Sequence, residues 1–186
     1  MSMNEPSLPQ KDTALHEALG TARVPHAFGG ALALAYYAQP RATIDIDVNI
    51  FLPPSRFERI AKALVSLDVD TAIDGEAVTR DGQVRLRWGR TPIDVFLAYD
   101  QIHDEMRATF RRVPFADGAI PIIAPEYLAV CKAVFDRPKD WIDIEQMLLG
   151  TDAFDRLVAE SALHRLVGEA DDRARRMCEL LDREFG

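Results

Sequence analysis

Cysteine–histidine metal spacings, long apolar runs and an excess of basic charge are all missing from this 186-residue chain. The two cysteines, Cys131 and Cys178, lie far apart with no C-x-x-C, and the four histidines are scattered, so no zinc spacing is present. The cysteines sit in helical patterns and are expected to be reduced, buried thiols of a cytoplasmic protein. No stretch has membrane-spanning length and no charged-then-apolar leader is evident, so no membrane role is expected. The net charge of −8 argues against a surface gripping nucleic acid throughout. Arg80, Arg85, Arg87 and Arg90, and then Arg107, Arg111 and Arg112, are local exceptions and read as solvated faces. Internal repeats and low-complexity tracts are absent too.

What is present is apolar content of 48%, enough for a core. The most informative stretch runs from Val24 to Ile50. Val24–Phe28 reads as a strand, Gly29-Gly30 as a turn, Ala31 to Pro40 as a short helix, and Arg41–Ile50 as a second strand. In that strand Ile44, Ile46, Val48 and Ile50 alternate with Asp45, Asp47 and Asn49, so the aliphatic face is expected in the core and the acidic face outward. Carboxylates two residues apart on a strand are about 7 Å apart and repel, and a divalent cation offsets that repulsion. Gly29-Gly30, at a strand-to-helix turn, can aim bare backbone N–H groups at an anion. A later strand, Ile93–Leu97, repeats the alternation with Asp94 on the polar side. If the two strands are neighbours in register, the three carboxylates line one cleft, with two oxygen-rich sites at the roughly 3.5–4 Å spacing of paired catalytic metals.

Elsewhere, residues 1 to 9 read as a loose tail and Lys11–Leu19 as a helix capped by Gly20. Ser55 and Glu58 form an expected capping box ahead of an amphipathic helix bearing Phe57, Ile60, Ala61, Leu64 and Val65. Asp74-Gly75 is a turn signal. Glu76–Thr79 and Gln83–Trp88 read as strands around an Asp81-Gly82 turn. A helix over Ile102–Phe110 and a hairpin around Asp117-Gly118 follow. From Pro125 the pattern is helical, with starts at Pro125 and Pro138, a cap at Thr151 and a break at Gly168. The last helix is expected to bury Ala174, Met177, Cys178, Leu181 and Phe185. The expected fold is α+β: residues 1–123 as a small mixed or antiparallel sheet flanked by helices, residues 124–186 as a helical part.

Gly29-Gly30, the short helix, Arg41-x-Thr43-x-Asp45-x-Asp47 and the later Asp94 together resemble the nucleotidyltransferase superfamily of polymerase-beta type. Leu128-x-x-x-Lys132 and Arg137-x-Lys139-Asp140-x-x-Asp143 make the chain similar to the AbiEii-type toxin branch. The resemblance spans about Val24 to Leu149. It implies a magnesium-dependent (ATP- or other NTP-binding) enzyme that moves a nucleoside monophosphate from a triphosphate to a hydroxyl on RNA, a protein or a small molecule. In the toxin reading, a separate antitoxin protein restrains it. Asp45 and Asp47 would hold two Mg2+ ions, and Asp94 would hold the second and help deprotonate the hydroxyl. Gly29, Gly30, Arg41, Thr43, Lys132 and Asp140 would serve the nucleotide. Lys132 reads equally as a side chain snorkelling from an amphipathic helix. Asp140 and Asp143 read as orienting Lys132 or as surface acids paired to Arg137 and Lys139. Gly30 stands where the wider superfamily often has serine. The competing reading is a non-catalytic nucleotide- or protein-binding regulatory module on the same fold.

Overall fold

The computed structural model describes residues 5–73, 75–151 and 154–185. The chain forms two compact units, Met1–Leu32 with Ala42–Ile122, and Ala33–Arg41 with Ile123–Gly186.

The first unit is built on one mixed six-stranded sheet. Its strands are β1 (His26–Phe28), β2 (Ile46–Ile50), β3 (Gln83–Trp88), β4 (Thr91–Leu97), β5 (Arg111–Phe115) and β6 (Gly118–Ile122), in the order β3-β4-β2-β1-β6-β5. The β2–β4 and β1–β6 pairs are parallel; the others are antiparallel. Ile46, Val48 and Ile50 of β2 and Ile93, Val95 and Leu97 of β4 are buried, as their period of two requires. The alternation starts later than the sequence suggests: β2 begins at Ile46, and Ile44 is 78% exposed in the loop before it. Asn49, expected on the outward face, is buried instead. The helices of this unit are α1 (Leu8–Thr21), α3 (Phe57–Leu64), α4 (Gly75–Asp81) and α5 (Ile102–Thr109), while α2 (Gly30–Leu34) starts within it.

Helix α1 starts earlier and ends later than expected, because Ser7 and Gln10 form a capping box and Gly20 lies inside the helix. Its Lys11 is buried, and the ammonium donates to Glu5 Oε1 at 2.6 Å, Trp88 O at 2.9 Å and Thr91 Oγ1 at 2.8 Å. The expected Ser55–Glu58 box is not formed. Pro54–Arg56 makes a 3-10 turn without a side-chain cap, and Glu58 pairs with Lys62 at 2.7 Å. A second 3-10 turn at Val65–Leu67 rotates Val65 off the apolar stripe, leaving it 64% exposed. The stretch expected as a first hairpin strand is helix α4. Val78 is its one buried residue, and Thr79 Oγ1 donates to Gly75 O at 2.9 Å. Gly82, at φ +62°, ends that helix instead of turning a hairpin; the hairpin turn is Gly89-Arg90, between β3 and β4. Asp74 of the expected Asp74-Gly75 turn and residues 1–4 of the expected tail lie outside the described residues.

The second unit gathers α6 (Pro125–Phe135), α7 (Pro138–Gly150), α8 (Arg156–Val167) and α9 (Asp172–Phe185). Helix α6 packs against the other three, and α9 also packs against α7 and α8. Pro125 and Pro138 occupy first-turn positions, where a missing N–H costs nothing. Thr151 closes α7; α8 is capped by Asp155, whose carboxylate accepts from the Leu157 and Val158 amides. Ala174, Met177, Leu180 and Leu181 form the buried stripe of α9, while Phe185 is 43% exposed and Cys178 half-buried. The expected helix from Ala31 to Pro40 is confined to α2 and followed by turns, and Tyr37 of the second unit donates to Ile123 O at 2.9 Å.

Candidate active site

The register of β2 on β4 decides where the carboxylates go. Asp47 lies directly opposite Asp94 in a parallel pair, flanked by Ile46↔Ile93 and Val48↔Val95. The neighbourhood and register that the sequence left as a condition are met. Asp45 sits one residue ahead of β2, where the Thr43 hydroxyl contacts its carboxylate and accepts from its backbone N–H at 3.3 Å.

Gly29 and Gly30 lie beside this pair. The Gly29 amide donates to Asp47 O at 2.9 Å. Gly30 takes φ +52°, and a Cβ there would stand 1.8 Å from Asp47 Oδ2. Both the backbone conformation and the space reserve the position for glycine. A serine side chain there would meet the Asp47 carboxylate.

Arg85 completes the cluster. It faces Asp94 across the β3–β4 hairpin and binds it bidentately, Nε to Oδ1 at 2.6 Å and Nη2 to Oδ2 at 2.7 Å. The hydrogen bonds and charge of Asp94 raise the arginine's pKa, and Asp45 and Asp47 add to the effect. The guanidinium thus binds one carboxylate and feels the charge of the other two, the four groups carrying a formal excess of two negative charges. Reading Arg85 as part of a solvated face missed this. The signal was countable: the hairpin pairs Trp88 with Thr91, so three steps back from one and three on from the other join Arg85 to Asp94.

The acidic oxygens are hard donors of the kind that magnesium takes, and Asp45, Asp47 and Asp94 are the side chains that would hold it once drawn together, since one oxygen from each does not yet lie within 4.8 Å of the other two. The half-buried carboxylates and the glycine corner leave no methyl group in the way of the Asp47 oxygen.

Lys132, Asp140 and Arg41 belong to the second unit, where they form a network with Asp143 and Arg137. Lys132 Nζ lies 2.6 Å from Asp143 Oδ2 and 3.8 Å from Asp140 Oδ1. Arg41 Nη2 reaches the same Asp143 oxygen at 3.3 Å, and Arg137 grips Asp140 at 2.6 and 3.1 Å. Asp140 is fully buried, and Lys132 and Asp143 nearly so. Lys132 is therefore no snorkelling side chain, and Asp143 is no surface acid paired to Arg137 or Lys139. The network carries two acids and three bases, which offsets the desolvation of the buried charges.

The family model for the nucleotidyl transferase AbiEii toxin of type IV toxin–antitoxin systems matches residues 18–185. No curated protein matches the chain. Among solved structures, the antibiotic-resistance factor ANT(2'')-Ia superposes with a TM-score of 0.61 at 14% identity, over 98% of this chain and 100% of that one. The lincosamide antibiotic adenylyltransferase LnuA, bound to lincomycin, gives 0.55 at 12% identity over 80% and 100%. An antigenic nucleotidyltransferase-like protein from Paracoccidioides brasiliensis gives 0.50 at 15% over 96% and 94%. At these identities the structural likeness is one of fold.

Proposed function

The chain belongs to the AbiEii nucleotidyltransferase toxin family, and from that premise we propose that Asp45, Asp47 and Asp94 are its catalytic centre. They would hold two magnesium ions and a nucleoside triphosphate whose monophosphate is moved to a hydroxyl acceptor. The observation that carries this reading is the in-register opposition of Asp47 and Asp94 beside Gly30. Divalent cations supply positive charge to the phosphoryl oxygens as the pyrophosphate leaves. The protein's own part is positional. Asp47 is held by strand pairing and by the Gly29 amide on its carbonyl and given space by Gly30, Thr43 fixes Asp45, and the corner would take the anionic end of the nucleotide through the Gly30 amide, the Gly29 amide being committed.

Asp94 would accept the proton of the attacking hydroxyl once Arg85 has released it. In the helical unit, the nucleotide-binding part that the family likeness implies for Lys132, Arg41 and Asp140 would require Lys132 and Arg41 to leave Asp143, Lys132 then acting as a compact charge suited to phosphate. The acceptor hydroxyl belongs to RNA, a protein or a small molecule, and an antitoxin protein restrains the enzyme. The reaction would run in the cytoplasm, where triphosphates are plentiful. No helix among the described residues is long and apolar enough to cross a membrane.

The test is transfer of label from each of four α-labelled triphosphates, with magnesium, to total RNA, to lysate protein and to a panel of aminoglycosides and lincosamides. Transfer to one acceptor class, lost in Asp47→Asn and Asp94→Asn proteins with unchanged melting, is the expected result. Transfer that survives both substitutions refutes the assignment. Triphosphate binding with no transfer to any class places the chain among regulatory modules.

A further inference from the structure

His164 and Cys178, unrelated by sequence spacing, meet in the helical unit. Glu160 and His164 stand four residues apart on α8 and so share one face. Cys178 of α9 comes up against that face, its Sγ 3.6 Å from His164 Nε2. One donor atom from each of the three residues lies within 4.8 Å of the other two, and all three residues are half-buried. They form the one group of this kind among the described residues.

The spacing can be compared with a bound ion. Zinc–sulfur bonds of about 2.3 Å and zinc–nitrogen bonds of about 2.0–2.1 Å, opened to the tetrahedral angle, put sulfur and nitrogen about 3.5 Å apart. The thiol and imidazole already stand at that separation. Thiolate and imidazole with one carboxylate suit zinc, whereas magnesium prefers an all-oxygen octahedron.

We propose that Glu160, His164 and Cys178 form a zinc site that clasps α9 to α8, with water at the fourth position. The site is chemically distinct from the all-carboxylate cluster on the strands. Because α9 also packs on α6 and α7, an ion there would fix the last helix of the unit. Binding would displace the thiol proton and form the metal–sulfur bond, with no oxidation or reduction.

The experiment uses the full chain, stripped with a chelator. Cobalt is added as a spectroscopic probe, and zinc is titrated against a chromophoric competitor. One equivalent of cobalt should give a thiolate-to-metal charge-transfer band in the native protein and in Cys131→Ser. Cys178→Ser should abolish the band, and His164→Ala and Glu160→Gln should each weaken zinc binding at least tenfold. In the unaltered chain, zinc should also shield Cys178 from alkylation, read by peptide mass, which keeps the test independent of how the variants fold. No thiolate band, a band that follows Cys131, unchanged zinc affinity in the variants or unshielded Cys178 would each overturn the site.

Discussion

Replacing Arg85 with glutamine is expected to tighten divalent-ion binding at the strand carboxylates. The Arg85 side chain is 60% exposed and Asp94 18% exposed, so a water-like dielectric applies to the guanidinium. A divalent ion about 5 Å from that charge is repelled by ~1.7 kcal/mol in water. At physiological ionic strength, with a Debye length of ~8 Å, the repulsion falls by about half. Breaking an exposed ion pair to free Asp94 costs a further ~0.2–1 kcal/mol. Together these give ~1–2 kcal/mol, or roughly a tenfold lower dissociation constant in the variant. Manganese titration followed by electron paramagnetic resonance measures it directly, and raising the salt should narrow the gap between native and variant. Weaker manganese binding in Arg85→Gln would refute the reasoning, because it would mean that Arg85 holds Asp94 in place for the ion instead of competing with it.

Gly30→Ala forces a left-handed backbone on alanine and drives a methyl group into the Asp47 carboxylate. A loss of about 2 kcal/mol by urea unfolding, together with weakened manganese binding, is expected; retention of both would show that the corner is pliable. Asp143→Ala leaves Lys132 buried with Asp140 as its more distant partner, at 3.8 Å. It should cost about 3 kcal/mol, seen as a melting temperature lower by roughly 6–12 °C; a change under about 1 kcal/mol would show that water reaches the pair. Two buried groups set opposite pH slopes. Burial lowers His26 from 6.5 to about 4, so the unfolded chain binds the extra proton between those values and stability falls as pH drops through them. Burial raises Asp12 from 3.8 to about 7, so the folded chain binds the extra proton and stability falls as pH rises through that window. The slopes largely cancel in the native protein. In His26→Gln the urea midpoint should decline steadily from pH 4.5 to 7, and in Asp12→Asn it should climb; parallel profiles in both variants would contradict the assignment.

The part of this architecture that sequence makes readable is the part governed by period two. Ile46, Val48, Ile93 and Val95 alternate with Asp47 and Asp94 because one face must be dry, and the register then follows from pairing. Where one turn of chain carries a single buried residue, as at Val78, no period exists to read, and a helix is mistaken for a strand. The register of Ile44 fails for a related reason: an apolar residue at the right parity still lies in a loop if the strand has not yet begun. Lys132 and Asp143 stand on different helices, and only packing of those helices reveals that their charges share a dry space. Cys178 and His164 are hidden in the same way, since their proximity depends on how α8 and α9 face each other.

The Lys11 ammonium spends its three hydrogens on a side chain near the start of the chain, a peptide carbonyl at the end of β3 and a hydroxyl at the beginning of β4. The outermost hairpin of the sheet, which carries Arg85, is therefore tethered to a segment remote from it in sequence. Trimming through Glu5, or a fusion that draws Glu5 away, would leave a buried cation short of its anion and loosen the strand that presents Arg85 to Asp94. Changes made for convenience at the front of the polypeptide would then be felt as altered behaviour of its acidic centre.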